Sequence, residues 1–277
     1  MKKSLLLAIP LSMMIAFGAC KKEKTEPADD TTGGNSGPAA IAATQQSTIF
    51  YMSGNWCGPC GLYGAPAKKA MKTKHGDKMN IIACQLNGSS ATDPLNNANA
   101  NSLAGVFGVT GVPTAYVVAN NEGTAVGGGS AMQASMDAAI TADIGISDVV
   151  ANMAIENVKL DGTNLSFDTR TKFFKSATEE YKIAAYVMES GIAGRQYSSG
   201  SGWADYDFND VLRKSVTSSV TGDALITGPA ADQEYPKSMT TSIDGTWKAA
   251  NLKVVVVLWR QVGTTVAVVN SVSVNVQ

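Results

Sequence analysis

Two cysteines separated by glycine and proline, in the stretch Ser53-Gly-Asn-Trp-Cys57-Gly-Pro-Cys60-Gly-Leu-Tyr-Gly-Ala-Pro66, carry most of the potential chemistry of this chain. Such a pair can be a redox dithiol, half of a metal site or a structural staple. Zinc needs four ligands from Cys and His as a rule. The body of the chain after residue 45 offers Cys57, Cys60, Cys84 and the single His75, with no second CxxC. Ligand count therefore disfavours zinc, and no metal or other cofactor is expected. A redox reading depends on where the pair sits. The run STIFYMS before it predicts a strand, and GPCGLYGAPAKKAMKTKHG after it predicts a helix ending at Gly76. Cys57 then stands at a helix N-terminus, where unpaired N–H groups favour a thiolate. Cys60, a turn further in, is placed to resolve a mixed disulfide. Pro59 costs little at a helix start.

The elements around the pair extend this pattern. KMNIIACQL predicts a second strand holding a buried thiol, Cys84. DPLNNANANSLAGVFG predicts a weak helix, PTAYVVANNEGTAV a hairpin, and SAMQASMDAAITADI a last helix. The order βαβα then ββα implies a central mixed sheet flanked by helices over residues 46–146. Val112-Pro113-Thr114 precedes a strand, and a cis proline there would expose the Val112 backbone to an extended substrate. From residue 147 to 277 the texture changes to strands divided by Gly, Asn, Asp and Ser turns, an all-β sandwich-like domain without cysteine.

The N-terminus determines the compartment. Lys2 and Lys3, an apolar run from Leu5 to Phe17, then Gly18-Ala19-Cys20 form a signal peptide over residues 1–19. Its ending resembles a bacterial lipobox, which implies a lipid on Cys20. Residues 20–45 are polar and lack apolar periodicity, so they predict a flexible tether. The expected location is the bacterial cell envelope, anchored in the outer membrane on its periplasmic or surface face. A formal net charge of −1 gives no reason to expect nucleic acid as a partner.

Trp56-Cys57-Gly58-Pro59-Cys60 followed by Gly111-Val112-Pro113-Thr114 resembles the thioredoxin superfamily. The resemblance implies attack by Cys57, resolution by Cys60, and a substrate face built from Trp56, Val112 and cis-Pro113. It implies protein or peptide disulfides as partners and, for a reductant, a membrane electron donor. Two positions depart from the family pattern: Tyr51 replaces a buried acid, and Pro66 comes one residue late. YKIAAYVMESGIAGRQ (181–196) and DYDFNDVLRKSV (205–216) give the whole chain a resemblance to the Omp28-related outer membrane lipoproteins. The leading expectation is a membrane-anchored thiol–disulfide oxidoreductase. The rival is an envelope binding lipoprotein whose thioredoxin-like part is a scaffold. Three further stretches have bland readings. VGGGS (126–130) is a turn without a P-loop lysine, and DYDFND is a polar turn lacking the glycine and glutamate of a calcium loop. His75 and the lysines 68, 69, 72, 74 and 78 read as a solvated helix end and face.

Overall fold

The computed structural model describes residues 38–119 and 122–276. The signal peptide, Cys20 and the tether up to residue 37 lie outside the described residues. The strands are β1 (Ser47–Ser53), β2 (Met79–Gln85), β3 (Thr114–Ala119), β4 (Glu122–Gly127), β5 (Ala151–Asp161), β6 (Asn164–Phe173) and β7 (Glu180–Glu189). They continue as β8 (Ile192–Ser198), β9 (Gly202–Phe208), β10 (Val211–Ser215), β11 (Asp223–Thr227), β12 (Glu234–Ser242), β13 (Leu252–Val262) and β14 (Thr265–Asn275). The helices are α1 (Ala65–His75), α2 (Ala98–Val106) and α3 (Met132–Ile144). The fold is mixed α/β and mostly strand.

One large mixed sheet runs in the order β14-β13-β7-β10-β2-β1-β3-β4, with β11 also on β7. Its two halves meet where β10 lies parallel to β2, Val211 opposite Ala83. The sheet folds back on itself there, so its halves face each other. Strict alternation shows this. Phe50 and Met52 of β1 meet Tyr186, Val257 and Trp259 of β7 and β13 in one core, which α2 closes with Ala100 and Leu103. Ile49 and Tyr51 point the other way, onto Ala67 and Met71 of α1 and Met136 and Ile140 of α3. On the far side of β7 and β13, Ile183, Val187, Val254 and Val256 pack against the three-stranded sheet β12-β6-β5. A strand buried on both faces must be apolar throughout, hence the unbroken run Val254–Trp259.

Residues 40–277 form one compact unit. The boundary expected between 146 and 147 therefore does not divide the fold, because strands from both sides of it share a sheet and a core. The expected tether end at 45 is also corrected. Ile41 is buried, and Asn152 Nδ2 donates to Ala42 O at 3.0 Å, Asn270 Nδ2 to Thr44 O at 2.9 Å.

A fragment of residues 46–146 would expose Phe50, Met52, Ile82 and Leu86 to water. We expect it to aggregate or to lack a cooperative melting transition by circular dichroism. A sharp transition at the intact chain's temperature would mean that the first half folds alone.

Candidate functional site

Cys57 and Cys60 are joined as a disulfide with Cα atoms 5.1 Å apart. The pair follows β1 directly, and the chain enters its helix there: Gly61 N–H donates to Cys57 O at 3.2 Å. Cys60 N–H lies 3.1 Å from Cys57 Sγ. A π-helical turn over Cys60–Gly64 precedes α1. It takes up the extra residue that sets Pro66 one place late, so the insertion costs no break in the helix.

The Val112–Pro113 bond is cis, and Cys57 Sγ lies 3.5 Å from Val112 O. The structure thus brings Cys57, Cys60, Val112 and Pro113 together. Trp56 is turned toward the end of β2. Its indole Nε1 donates to Leu86 O at 2.9 Å, and a Cβ on Gly54 would stand 2.6 Å from that nitrogen. Tyr51 lies under the pair, its hydroxyl against Gly64, where a Cβ would come within 2.2 Å. Burial pushes the Tyr51 phenol far above its usual range. Cys84 is a free, buried thiol, as expected, and burial raises its pKa strongly.

Two features at the site have no local sequence signal. Asp93 is buried with Asn55 N–H donating to Oδ2 at 2.6 Å and Leu95 N–H to Oδ1 at 2.8 Å, which fixes the loop before Cys57. Burial pushes its carboxyl up, against the pull of those two N–H groups. The second is the hairpin β8–β9, from the other half of the chain. Tyr197 N–H donates to Asn55 O at 2.7 Å and Ser199 N–H to Gly58 O at 3.1 Å. The buried Gln196 amide nitrogen lies 3.1 Å from Gly54 O and Asn55 O and 3.3 Å from Cys57 O. Only glycine at 61 permits this approach, since a Cβ there would meet Tyr197 O at 2.4 Å, whereas one on Gly58 would meet the side-chain Ser199 Oγ at 2.3 Å, which can turn away. Cys57 is left 3% exposed. The one available sequence signal was the 181–196 stretch, which ends at Gln196.

The flanking charges also differ from expectation. Lys68 and His75 are buried rather than solvated. His75 Nε2 bonds Asp137 Oδ1 of α3 at 2.7 Å. Lys68 Nζ donates to Asn209 O at 2.6 Å and lies 5.6 Å from the Tyr51 ring centre. In DYDFND, Asp210 pairs with Lys253 at 2.8 Å and Asn209 Oδ1 accepts Gly191 N–H. No group of three or more His, Cys, Asp or Glu among the described residues could hold a metal ion.

Residues 100–277 match the family described as Outer membrane protein Omp28. The chain belongs to the Omp28 outer membrane protein family. That membership locates it at the outer membrane of the cell envelope. Among solved structures this Omp28-family chain is similar to HBP35 of Porphyromonas gingivalis. The TM-score is 0.63 at 15% identity, over 84% of this chain and 76% of that one, a likeness of fold. A domain of the outer membrane lipoprotein Omp28 from the same organism gives a TM-score of 0.32 at 15% identity, over 47% of this chain and 90% of that one. The curli protein CsgC of E. coli gives 0.22 at 10% identity, over 44% and 96%. No curated protein matches.

Burial lowers the Lys68 pKa to about 8; Asp210 opposes this and Lys253 adds to it. Below pH 8 the folded chain bears the full cost of a buried charge. As pH rises toward the ordinary 10.5 the folded state sheds its proton before the unfolded state does, so stability climbs across that window. We expect Lys68→Met to abolish this climb, worth on the order of 3 kcal/mol. Denaturant midpoints of variant and parent at pH 7 and pH 10 measure it.

Proposed function

We propose that the protein is an outer-membrane lipoprotein that binds a partner in the cell envelope, on a body in which the thioredoxin-like elements serve as scaffold. The observation that carries this reading is the extent of the family match. It covers residues 100–277 and leaves out Cys57 and Cys60. The near-complete burial of Cys57 supports it, since an open redox site exposes its attacking sulfur. The lipid anchor belongs to the same reading, with residues 1–19 removed and a diacylglyceryl group on Cys20.

A second reading has its own observation. The disulfide lies at a helix entry beside Val112 and Pro113, which supports a thiol–disulfide oxidoreductase with a thioredoxin-like fold over residues 46–146. In its reduced form the Cys57 thiolate attacks a substrate disulfide and the leaving sulfur departs as a thiolate. Cys60 then attacks Cys57 in the mixed disulfide, releases the second substrate thiol and restores the Cys57–Cys60 bond. Two electrons pass to the substrate in each cycle, so a membrane donor must return them. Protein or peptide disulfides are the substrates of this reading.

Insulin reduction by dithiothreitol separates the two. On the binding reading we expect equal rates with the parent chain and with Cys57→Ser. Loss of most of the acceleration in Cys57→Ser, with Cys60→Ala trapping mixed disulfides, would establish the oxidoreductase. Mass spectrometry of the N-terminal peptide tests the anchor: we expect a lipid-modified Cys20, and an unmodified one would exclude it.

A further inference from the structure

The hairpin β8–β9 is tied to the disulfide loop yet contributes almost nothing to any core. It pairs with neither of the other two sheets. Within its strands only Gln196 and Phe208 are buried. Between it and α1 lies a cavity of about 280 Å³, lined in part by Gly61, Ala65, Pro66, Ala204 and Tyr206. An element with few buried apolar contacts, next to a void, opens locally at low cost.

Its two ends are held firmly. The chain enters through Gly191 (φ 67°) and leaves through Asp210 (φ 55°), both left-handed. Gly191 N–H donates to Asn209 Oδ1 at 3.0 Å. Asp210 is fixed by Lys253 at 2.8 Å, and its carbonyl accepts Ala83 N–H of β2 at 2.8 Å. Fixed ends and a loosely seated body describe a flap that moves as a unit. When seated, it occupies the carbonyls of Asn55 and Gly58, which flank Cys57.

We propose that β8–β9 is a gate over the Cys57–Cys60 disulfide, which must lift before a protein thiol can reach Cys57 Sγ. The gate gives a purpose to the oxidoreductase reading and rests on it in that respect, but access to the sulfur is measurable without any turnover. Reduction consumes two external thiols. One thiolate attacks Cys57 Sγ, breaks the S–S bond and releases Cys60 as a thiolate. A second displaces Cys57 from the mixed disulfide, leaving the external pair oxidised and both cysteines reduced. A small thiol needs only a local opening, whereas a protein thiol needs the whole hairpin displaced. The gate therefore discriminates by size.

The test uses the full mature chain. Rates of reduction of the disulfide are measured with dithiothreitol and with reduced thioredoxin, parent against Gln196→Ala. Removing the amide that bonds the loop carbonyls should speed reduction by thioredoxin about tenfold and by dithiothreitol less than about twofold. No change with either reductant, or an equal gain with both, would overturn the gate. Hydrogen exchange on the unmodified chain gives an independent readout should the variant fold poorly. The Tyr197 and Ser199 amides should exchange together, and much faster than those of β7. Protection equal to that of β7 would also overturn the gate. Insulin turnover judges the redox reading separately: size-dependent reduction without turnover keeps the gate and discards the enzyme.

Discussion

The structure depends on a buried polar junction at Asn270. Its amide donates to Thr44 O and Ala151 O, and its Oδ1 accepts Gln46 N–H at 3.0 Å. Beside it Ser271 Oγ takes Thr48 Oγ1–H at 2.8 Å and Asn80 Nδ2–H at 2.9 Å. Four chain segments meet here, the most distant more than 220 residues apart. Buried polar groups are tolerable only when each finds its partner, so such a network admits one register and penalises others. It sets β1 against β14 and so brings Phe50 within 5.6 Å of Trp259 across the folded-back sheet.

The environment of the disulfide follows from that alignment. With the two halves of the large sheet stacked and joined at β10 and β2, the strand after the hairpin β8–β9 is anchored beside the strand after α1. The hairpin then has one place to lie, across the loop that carries Cys57. A dithiol on an isolated domain would face solvent. Here the second half of the chain supplies Gln196, Tyr197 and Ser199 to the neighbourhood of Cys57, and the glycines at 58 and 61 make room for them. The surroundings of the dithiol thus become a property of the whole chain rather than of the CGPC loop.

Local chemistry was legible where neighbours in sequence are also neighbours in space. The strand–cysteine–helix order placed Cys57 at a helix entry, and the apolar run of β2 placed Cys84 in a core. The readings of Lys68 and His75 as solvated erred because helix composition does not reveal what packs on top. Asp137 of α3 receives His75, and the Asn209 carbonyl receives Lys68. Those partners lie 62 and 141 residues away. The glycines of the CGPC loop could be read as turn formers, but not as the floor under a distant hairpin.

Strand β14 shows the division most clearly. The alternation in TVAVVNSVSVN marks a strand, and composition determines that much without help. Yet Val266 and Val268 face the core shared with β1, whereas Val272, Val274 and Val276 face the core shared with β5 and β6. All are even positions, so a regular strand would put them on one face. A bulge opposite Leu258 and Trp259 inserts one residue and reverses the phase, and Asn270 sits just beyond it. The sequence by itself determined most of the strands, the helices and the cysteine pair. Which faces those strands bury, that the two halves share one sheet, and that a hairpin bonds the loop carrying Cys57 were decided by the tertiary structure. The physical reason is that local propensity acts over a few residues, whereas burial and hydrogen-bond satisfaction are settled only when segments distant in the chain meet.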